Sequence, residues 1–272
     1  MTFLVRDEID IVAATLDYHF AHGVDFVVAM DNGSVDGTRE ILGEYERRGL
    51  LCVLDQAPSD FSQHRWVTGM ALMAYLDHRA DWVMHVDADE LFVPREAPDL
   101  KHVLARVAPE TGVLSIGRHD FVPFDRPRLA PPQREMIYRK AISLNMRGLP
   151  LPPKVIHRGV KECAVAQGNH AVRGPELGAP LPFADISVYH YPLRDYPQFL
   201  TKVINGGTSY AINRELPKDM GQHKRRWYEQ LQQGQLEDVY RNDLHYDAGR
   251  LVRELADGRI VIDRAAASFY EE

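Results

Sequence analysis

Apolar residues gather along the first ninety positions in short blocks separated by stretches of longer period. Thr2–Val5, Val24–Met30, Leu50–Leu54 and Trp82–Val86 are near-continuous apolar runs, the pattern of strands buried on both faces. Between the first two, Ile9, Val12, Leu16 and Phe20 fall near helical spacing. Arg6-Asp7-Glu8 supplies acidic residues for a first helical turn, and Gly23 ends the helix. Asp31-Asn32-Gly33-Ser34-Val35-Asp36-Gly37-Thr38 is a turn-rich loop feeding a second helix that ends near Gly49. Ser62 is placed to cap a third helix with the stripe Trp66, Met70, Met73 and Leu76. Such strand–helix–strand repeats predict right-handed crossovers and a doubly wound α/β sheet, whose ligands sit beyond the carboxyl ends of its strands.

After Pro94 the pattern loosens. Val113–Ile116, Met136–Ile142, Val155–His157 and Ile186–Tyr189 are candidate strands between Pro- and Gly-rich loops. From about Tyr196 the chain reads as helical, including the basic stretch His223-Lys224-Arg225-Arg226-Trp227, expected as a solvated face with one buried Trp. No linker divides the chain. The expected layout is a catalytic domain over residues 1–195, with a ligand-binding half over 1–95 and a completing half over 96–195, and a helical extension over 196–272 packed on it.

The 272 residues, 45% of them hydrophobic, suffice for a large core. A net charge of −7 argues against nucleic acid, which demands a basic face. Two distant cysteines, Cys52 and Cys163, indicate neither a disulfide framework nor a thiolate zinc site, and fit a reducing cytoplasm. The start is too short and too soon acidic for a signal peptide, and no apolar run reaches the ~20 residues of a membrane helix. A soluble, cytoplasmic protein is expected, with room for a peripheral role at a membrane.

The sharpest chemical feature is Asp87-Ala88-Asp89-Glu90, directly after the buried run Trp82–Val86. Carboxylates at that strand end would lie in the ligand crevice of the sheet. Two hard oxygen donors there suit Mg²⁺ or Mn²⁺, which keep waters and take further ligands from substrate phosphates. Bound metal would offset charge on a departing nucleoside diphosphate. An acidic turn capping the next segment is the bland alternative. Asp31–Thr38 is the second feature: its glycines admit close approach of a ligand, while Asp31, Asn32 and Asp36 can accept from a base or ribose. A turn with a helix cap would read the same way.

Together, Val5-Arg6-Asp7-Glu8, Asp31 through Thr38, Gln63-His64-Arg65-Trp66 and Trp82 through Phe92 resemble family 2 glycosyltransferases. The likeness is to the bacterial branch with a D-N-x-S-x-D-G-T loop and a D-W-x-x-x-x-D-x-D-E segment. That resemblance implies a GT-A fold, Rossmann-like with a mostly parallel central sheet, and a nucleotide-diphosphate sugar as donor. It also implies a divalent metal at Asp87-x-Asp89, with Ala88 between them at the donor. By the same resemblance the backbone of Val5–Glu8 and the carboxylate of Asp31 would embrace the nucleoside. Asp7 stands where many relatives carry Asn.

Such enzymes often complete the metal site with a downstream histidine. His190, at the end of Ile186–Tyr189, is favoured as that ligand over His170 in Gly168-Asn169-His170, which would then serve as acceptor contact or base. Either can equally be a hydrogen-bonded structural histidine. Transfer with inversion needs a base for the acceptor's proton; Asp120, Glu162 and His170 are the candidates, and no spacing rule separates them. Arg65, Lys154 and Arg158 could grip the diphosphate. The acceptor, whether small molecule, glycan or lipid-linked, is not written in the sequence. A sugar-nucleotide nucleotidyltransferase is the rival enzyme class, although Arg6-Asp7-Glu8-Ile9 lacks the glycines of its phosphate loop. A non-catalytic carbohydrate binder on the same fold is the rival outside catalysis.

Overall fold

Four parallel strands form the first half of the central sheet: β1 (Thr2–Val5), β2 (Val27–Asp31), β3 (Leu51–Asp55) and β4 (Trp82–Asp87). The structure, a computed structural model, describes residues 1–56, 63–145, 148–212 and 222–271. Ser62, the expected cap, lies outside them. The crossovers are α1 (Val12–Ala21), α2 (Thr38–Arg47) and α3 (Gln63–Leu76). β1 pairs with both β2 and β4, so the order runs β3-β2-β1-β4 and the carboxyl ends of all four point the same way.

The sheet then becomes mixed. After β4 the chain turns through Ala88 and Asp89 into β5 (Glu90–Pro94), which lies at the far edge of the same eight-stranded sheet. Between them sit β8 (Lys154–Arg158), β6 (Val113–Asp120) and β11 (Leu181–His190), in that order. α4 (Leu100–Leu104), α5 (Pro132–Glu135) and β7 (Tyr138–Lys140) connect the second half, and β9 (Ala164–Val165) pairs with β10 (Val172–Arg173). The last part holds α6 (Tyr196–Ile212), α7 (Gln222–Gln232), α8 (Leu236–Val239) and α9 (Ala248–Ala256). It is not wholly helical: β12 (Ile260–Ile262) returns to pair with β7.

Three local expectations change, each for a tertiary reason. Residues 6–10 do not begin a helix. Asp7 has φ 53°, and the backbone N–H groups of Asp7, Glu8 and Ile9 donate to Ser34, Asp36 and Thr38 side chains instead of waiting for a helical turn. On α3 the buried stripe is Val67, Met70, Ala71 and Ala74, while Leu76 is exposed; the small alanines let this face lie close on the sheet. Met136–Ile142 yields only the short β7, because its partner strand comes from the far end of the chain.

Two apolar layers sandwich the sheet. Phe3, Val86, Leu16 and Phe92 are fully buried on the side of α1, and Val28, Val83, Met70 and Val155 on the side of α3. Each such side chain contributes about 1.5–3 kcal/mol by leaving water. A separate cluster of Phe199, Val203, Leu236 and Tyr240, with Trp227 against it, joins α6 to α7. Gly207 makes that junction possible: a Cβ there would lie 2.1 Å from the Tyr228 ring. Among the described residues no helix is long and apolar enough to cross a membrane.

Candidate active site

The carboxyl ends of β1 and β2 bring two loops together, since Val5 and Asp31 are register partners. Asp36 knits them: its carboxylate accepts from Ile9 N at 3.0 Å, Thr38 N at 2.9 Å and Thr38 Oγ1 at 2.6 Å. Thr38 Oγ1 in turn accepts from Glu8 N, and Asp7 Oδ1 from Val35 N. Gly37 sits at φ 104°, a left-handed conformation that favours glycine over any residue with a side chain. Asp31 uses one carboxylate oxygen to hold Gly33 N and Ser34 N. Its other oxygen, Oδ1, and Asn32 Oδ1 are buried with no protein partner. Unpaired buried acceptors are rare, and donors from a ligand would satisfy them. The turn reading and the ligand reading of this loop thus fall on different oxygens of one side chain.

The turn between β4 and β5 is built instead from charge. Lys154, wholly buried, donates to Asp87 Oδ2 at 2.5 Å and lies 2.9 Å from Glu90 Oε2; Asn169 Nδ2 takes Asp87 Oδ1 at 3.1 Å. Arg118 closes on the other oxygen of Glu90 at 3.3 Å. Burial raises the Glu90 carboxyl above its usual range, while on Lys154 the two carboxylates outweigh burial and keep the ammonium charged. Underneath, Thr15 Oγ1 donates to the Ala88 carbonyl at 2.7 Å and receives Gln133 Nε2, so α1 fixes the peptide between Asp87 and Asp89.

Asp89 faces the second half of the sheet. Lys202 of α6 donates to its Oδ2, and His190 Nε2 lies 3.7 Å from that same oxygen. His190 is oriented through its other nitrogen, which meets Asp120 Oδ1 at 2.7 Å. Burial would lower the imidazole's pKa, but Asp89 and Asp120 prevail and raise it to about 9. Burial would likewise raise Asp89, yet Lys202 and His190 hold it well below the carboxylate range. Arg194, fully buried just past β11, grips Glu8 and chelates Asp10 at 2.6 and 2.8 Å. Asn205, one turn beyond Lys202, donates to Asp7 Oδ2 at 2.7 Å, so α6 touches both loops.

The remaining candidates scatter. His170 lies beside the Asp87–Lys154 pair, its Nδ1 at 2.9 Å from the Pro153 carbonyl; burial, then Lys154, lower its pKa to about 4. It is therefore neutral near pH 7, with Nδ1–H donating to the carbonyl and Nε2 left without a proton. Arg65 is exposed on α3, and Glu162 on the turn before β9. Arg158 sits at the other end of β8, over the Trp82 ring at 4.0 Å. Lys202, Arg194, Asn169 and Arg118 join the cleft without having been given a role there. The adjacency of Asn169 to His170 and of Arg194 to the end of β11 was the available signal. Lys224, from the basic stretch expected to be solvated, is pushed down in pKa by burial and by Lys202, with Asp87 and Asp89 opposing.

Among the described residues no three His, Cys, Asp or Glu side chains converge to cage a metal by themselves. Asp89 and His190 nevertheless suit a hard divalent ion completed by substrate phosphates. A carboxylate and an imidazole point at one another, and a second carboxylate, Asp120, fixes the ring from behind as in metal sites generally. Asp87 is engaged by Lys154 and Asn169 on both oxygens.

The sequence model of glycosyltransferase family 92 matches residues 3–226. The chain belongs to that family. It is a glycosyltransferase, and its fold is mixed α/β with a large, mostly parallel central sheet. The resemblance to family 2 thus pointed to the right enzyme class, while the match itself is to family 92. No curated protein sequence matches. Similar solved structures include residues 1–349 of S. aureus TarS in complex with UDP, at 14% identity, covering 89% of this chain and 73% of that one with a TM-score of 0.42. Against a longer TarS chain, also at 14% identity, coverage is 88% and 43% with a TM-score of 0.41, so this family 92 chain spans under half its length. The galactosyltransferase LgtC, in complex with donor and acceptor sugar analogs, shares 16% identity, with 59% and 57% covered and a TM-score of 0.28.

Proposed function

We propose that this enzyme moves a sugar from a nucleoside diphosphate sugar to an acceptor hydroxyl with inversion, assisted by Mn²⁺ or Mg²⁺ at Asp89 and His190. The observation that carries the metal assignment is the approach of His190 Nε2 to Asp89 Oδ2, with Asp120 holding the ring from behind. The unpaired Asp31 Oδ1 and Asn32 Oδ1 support nucleoside binding at the ends of β1 and β2, alongside the backbone of Val5–Glu8. When bound, the metal supplies Lewis-acid charge beside the departing diphosphate. Lys154 and Arg118 together oppose the charges of Asp87 and Glu90, which steadies the turn carrying Asp89.

His170 takes the acceptor's proton. Its Nδ1–H is committed to the Pro153 carbonyl, which leaves Nε2 as the proton acceptor. Asp120 is committed to His190, and Glu162 is exposed on its turn. The acceptor is a small molecule, a glycan or a lipid-linked saccharide.

Turnover measured against Mn²⁺ concentration tests the two histidine roles. His190→Ala lowers apparent metal affinity in the nucleotide complex and is partly rescued at high Mn²⁺, since mass action offsets a lost ligand. His170→Ala leaves metal and donor binding nearly intact and lowers turnover at every concentration, because a lost base raises the barrier itself. Rescue of His170→Ala in place of His190→Ala would reverse the assignments. The anomeric configuration of the product, followed by NMR, tests inversion.

A further inference from the structure

Asp89 Oδ2 is claimed from two directions. The Lys202 ammonium already donates to it, and His190 Nε2 faces it. An ion bridging Asp89 and His190 through that oxygen therefore has to displace Lys202 from it. We infer that Lys202 is an internal counter-cation of the site, which competes with divalent metal for Asp89 and yields only when a diphosphate draws its ammonium away. Metal and nucleoside diphosphate then bind cooperatively, because each needs the rearrangement that the other favours. This rests on the metal reading above and adds a rule for the order of occupancy.

Lys202 is built for such a transfer. Its side chain is 30% exposed, unlike the wholly buried Lys154 under Asp87, so the head group can swing on its four-carbon stem. Beside Asp89 it has fallback partners, the Pro192 carbonyl at 3.1 Å and Glu8 Oε1 at 4.0 Å. Arg194 holds the opposite oxygen of Glu8, which keeps Glu8 from drawing Lys202 away completely. Lys224 from α7 adds positive potential on the same side, packed against α6 at Gly206, where a Cβ would lie 3.4 Å from its side chain. A diphosphate entering here meets Lys202 with Lys224 behind it. A bare divalent cation meets the same two charges as repulsion. Asn205, bonded to Asp7, ties α6 to the nucleoside loop, so both ends of a nucleotide bear on the helix that carries Lys202.

Calorimetry on the full chain decides it, with Mn²⁺ alone, UDP in EDTA and UDP in saturating Mn²⁺, for wild type, Lys202→Met and Lys202→Gln. Wild type is expected to bind UDP about tenfold tighter with Mn²⁺ than in EDTA. Both variants should bind Mn²⁺ alone about tenfold tighter than wild type, since the competing charge is gone. UDP in EDTA should weaken in the variants, and the gain on adding Mn²⁺ should fall to about threefold or less. The Gln variant keeps a polar group toward Asp89 and reports independently if Met at this position compromises folding. Unchanged or weaker binding of Mn²⁺ alone in the variants, with wild-type cooperativity intact, overturns the role of Lys202 and leaves the metal reading standing. Equal wild-type affinity for UDP with and without Mn²⁺ overturns the metal reading itself.

Discussion

At the carboxyl ends of β1 and β2, Asp31 through Thr38 is held by side-chain oxygens accepting from backbone N–H groups of its own loop and of residues 7–9. At the β4–β5 turn, Asp87 through Glu90 is held by lysine and arginine brought from elsewhere, with Lys154, Lys202 and Arg118 each facing a carboxylate. The first arrangement is pre-shaped by backbone N–H groups given to carboxylate and hydroxyl oxygens, without an opposing side-chain cation. The second is an ensemble of opposed charges in which displacing one partner leaves another exposed to a desolvation cost. On the reading proposed above, a ligand fits into the first and has to exchange partners in the second.

The largest expected effect is on that exchange. Asp89→Ala should lower turnover by about 10²–10³-fold, the usual loss when one element of transition-state charge stabilisation is removed. It should also erase the difference in nucleoside diphosphate affinity between Mn²⁺ and EDTA. A variant that keeps the difference would move the metal away from Asp89.

Next in size is Arg194→Met. With Glu8 left without its partner while Asp10 stays open to water, denaturant unfolding should show a loss of about 3 kcal/mol, the low end of the cost of breaking a buried ion pair on one side. A loss below about 1 kcal/mol would mean that water already reaches Glu8 as well and that its tie to Arg194 contributes little.

Asp31→Asn sharpens the other half. It keeps an acceptor for Gly33 and Ser34 but puts an amide where Oδ1 was, so nucleotide affinity should drop by about 1–3 kcal/mol with little loss of stability. If stability falls and affinity does not, the loop is a turn and cap only.

Smallest at neutral pH, and growing only as acid is added, is a pH dependence under the β4–β5 turn. His19 is locked neutral, with Nδ1 on the Thr15 carbonyl and Nε2 accepting from Phe92 N; burial lowers its pKa to about 3. The unfolded chain, with a histidine near 6.5, binds that proton first as pH falls. Stability should therefore decline by up to about 1.4 kcal/mol per pH unit below about 6.5, flattening near 3. His19→Gln should reduce that slope by its one-proton share in chemical denaturation curves taken across this range, leaving the shares of His85, His157 and His170, whose pKa values burial also lowers.

How much of this was legible beforehand depended on distance along the chain. The first four strands, the Asp31–Thr38 loop and the carboxylates after β4 are contiguous in sequence, and their apolar runs and turn residues place them without any partner. The end of β11 likewise placed His190. The ion pairs were not legible. Lys154 reaches Asp87 across 67 positions, Lys202 reaches Asp89 across 113 and Arg194 reaches Glu8 across 186. Nothing in local periodicity records which lysine meets which carboxylate. The failed helix start at residues 6–10 has the same origin, since its N–H groups were satisfied by a loop some thirty positions away.

The sequence by itself determined a doubly wound α/β sheet with acidic groups gathered at the carboxyl ends of its strands, because burial of apolar runs and the conformational needs of Asn, Asp and Gly act locally. Only the tertiary structure decided what those acids face. The curl that carries β5 to the far edge of the sheet sets Asp89 against His190, and the packing of α6 sets Lys202 against Asp89. Charge pairing acts through space, and it waits on the fold to bring its partners within reach.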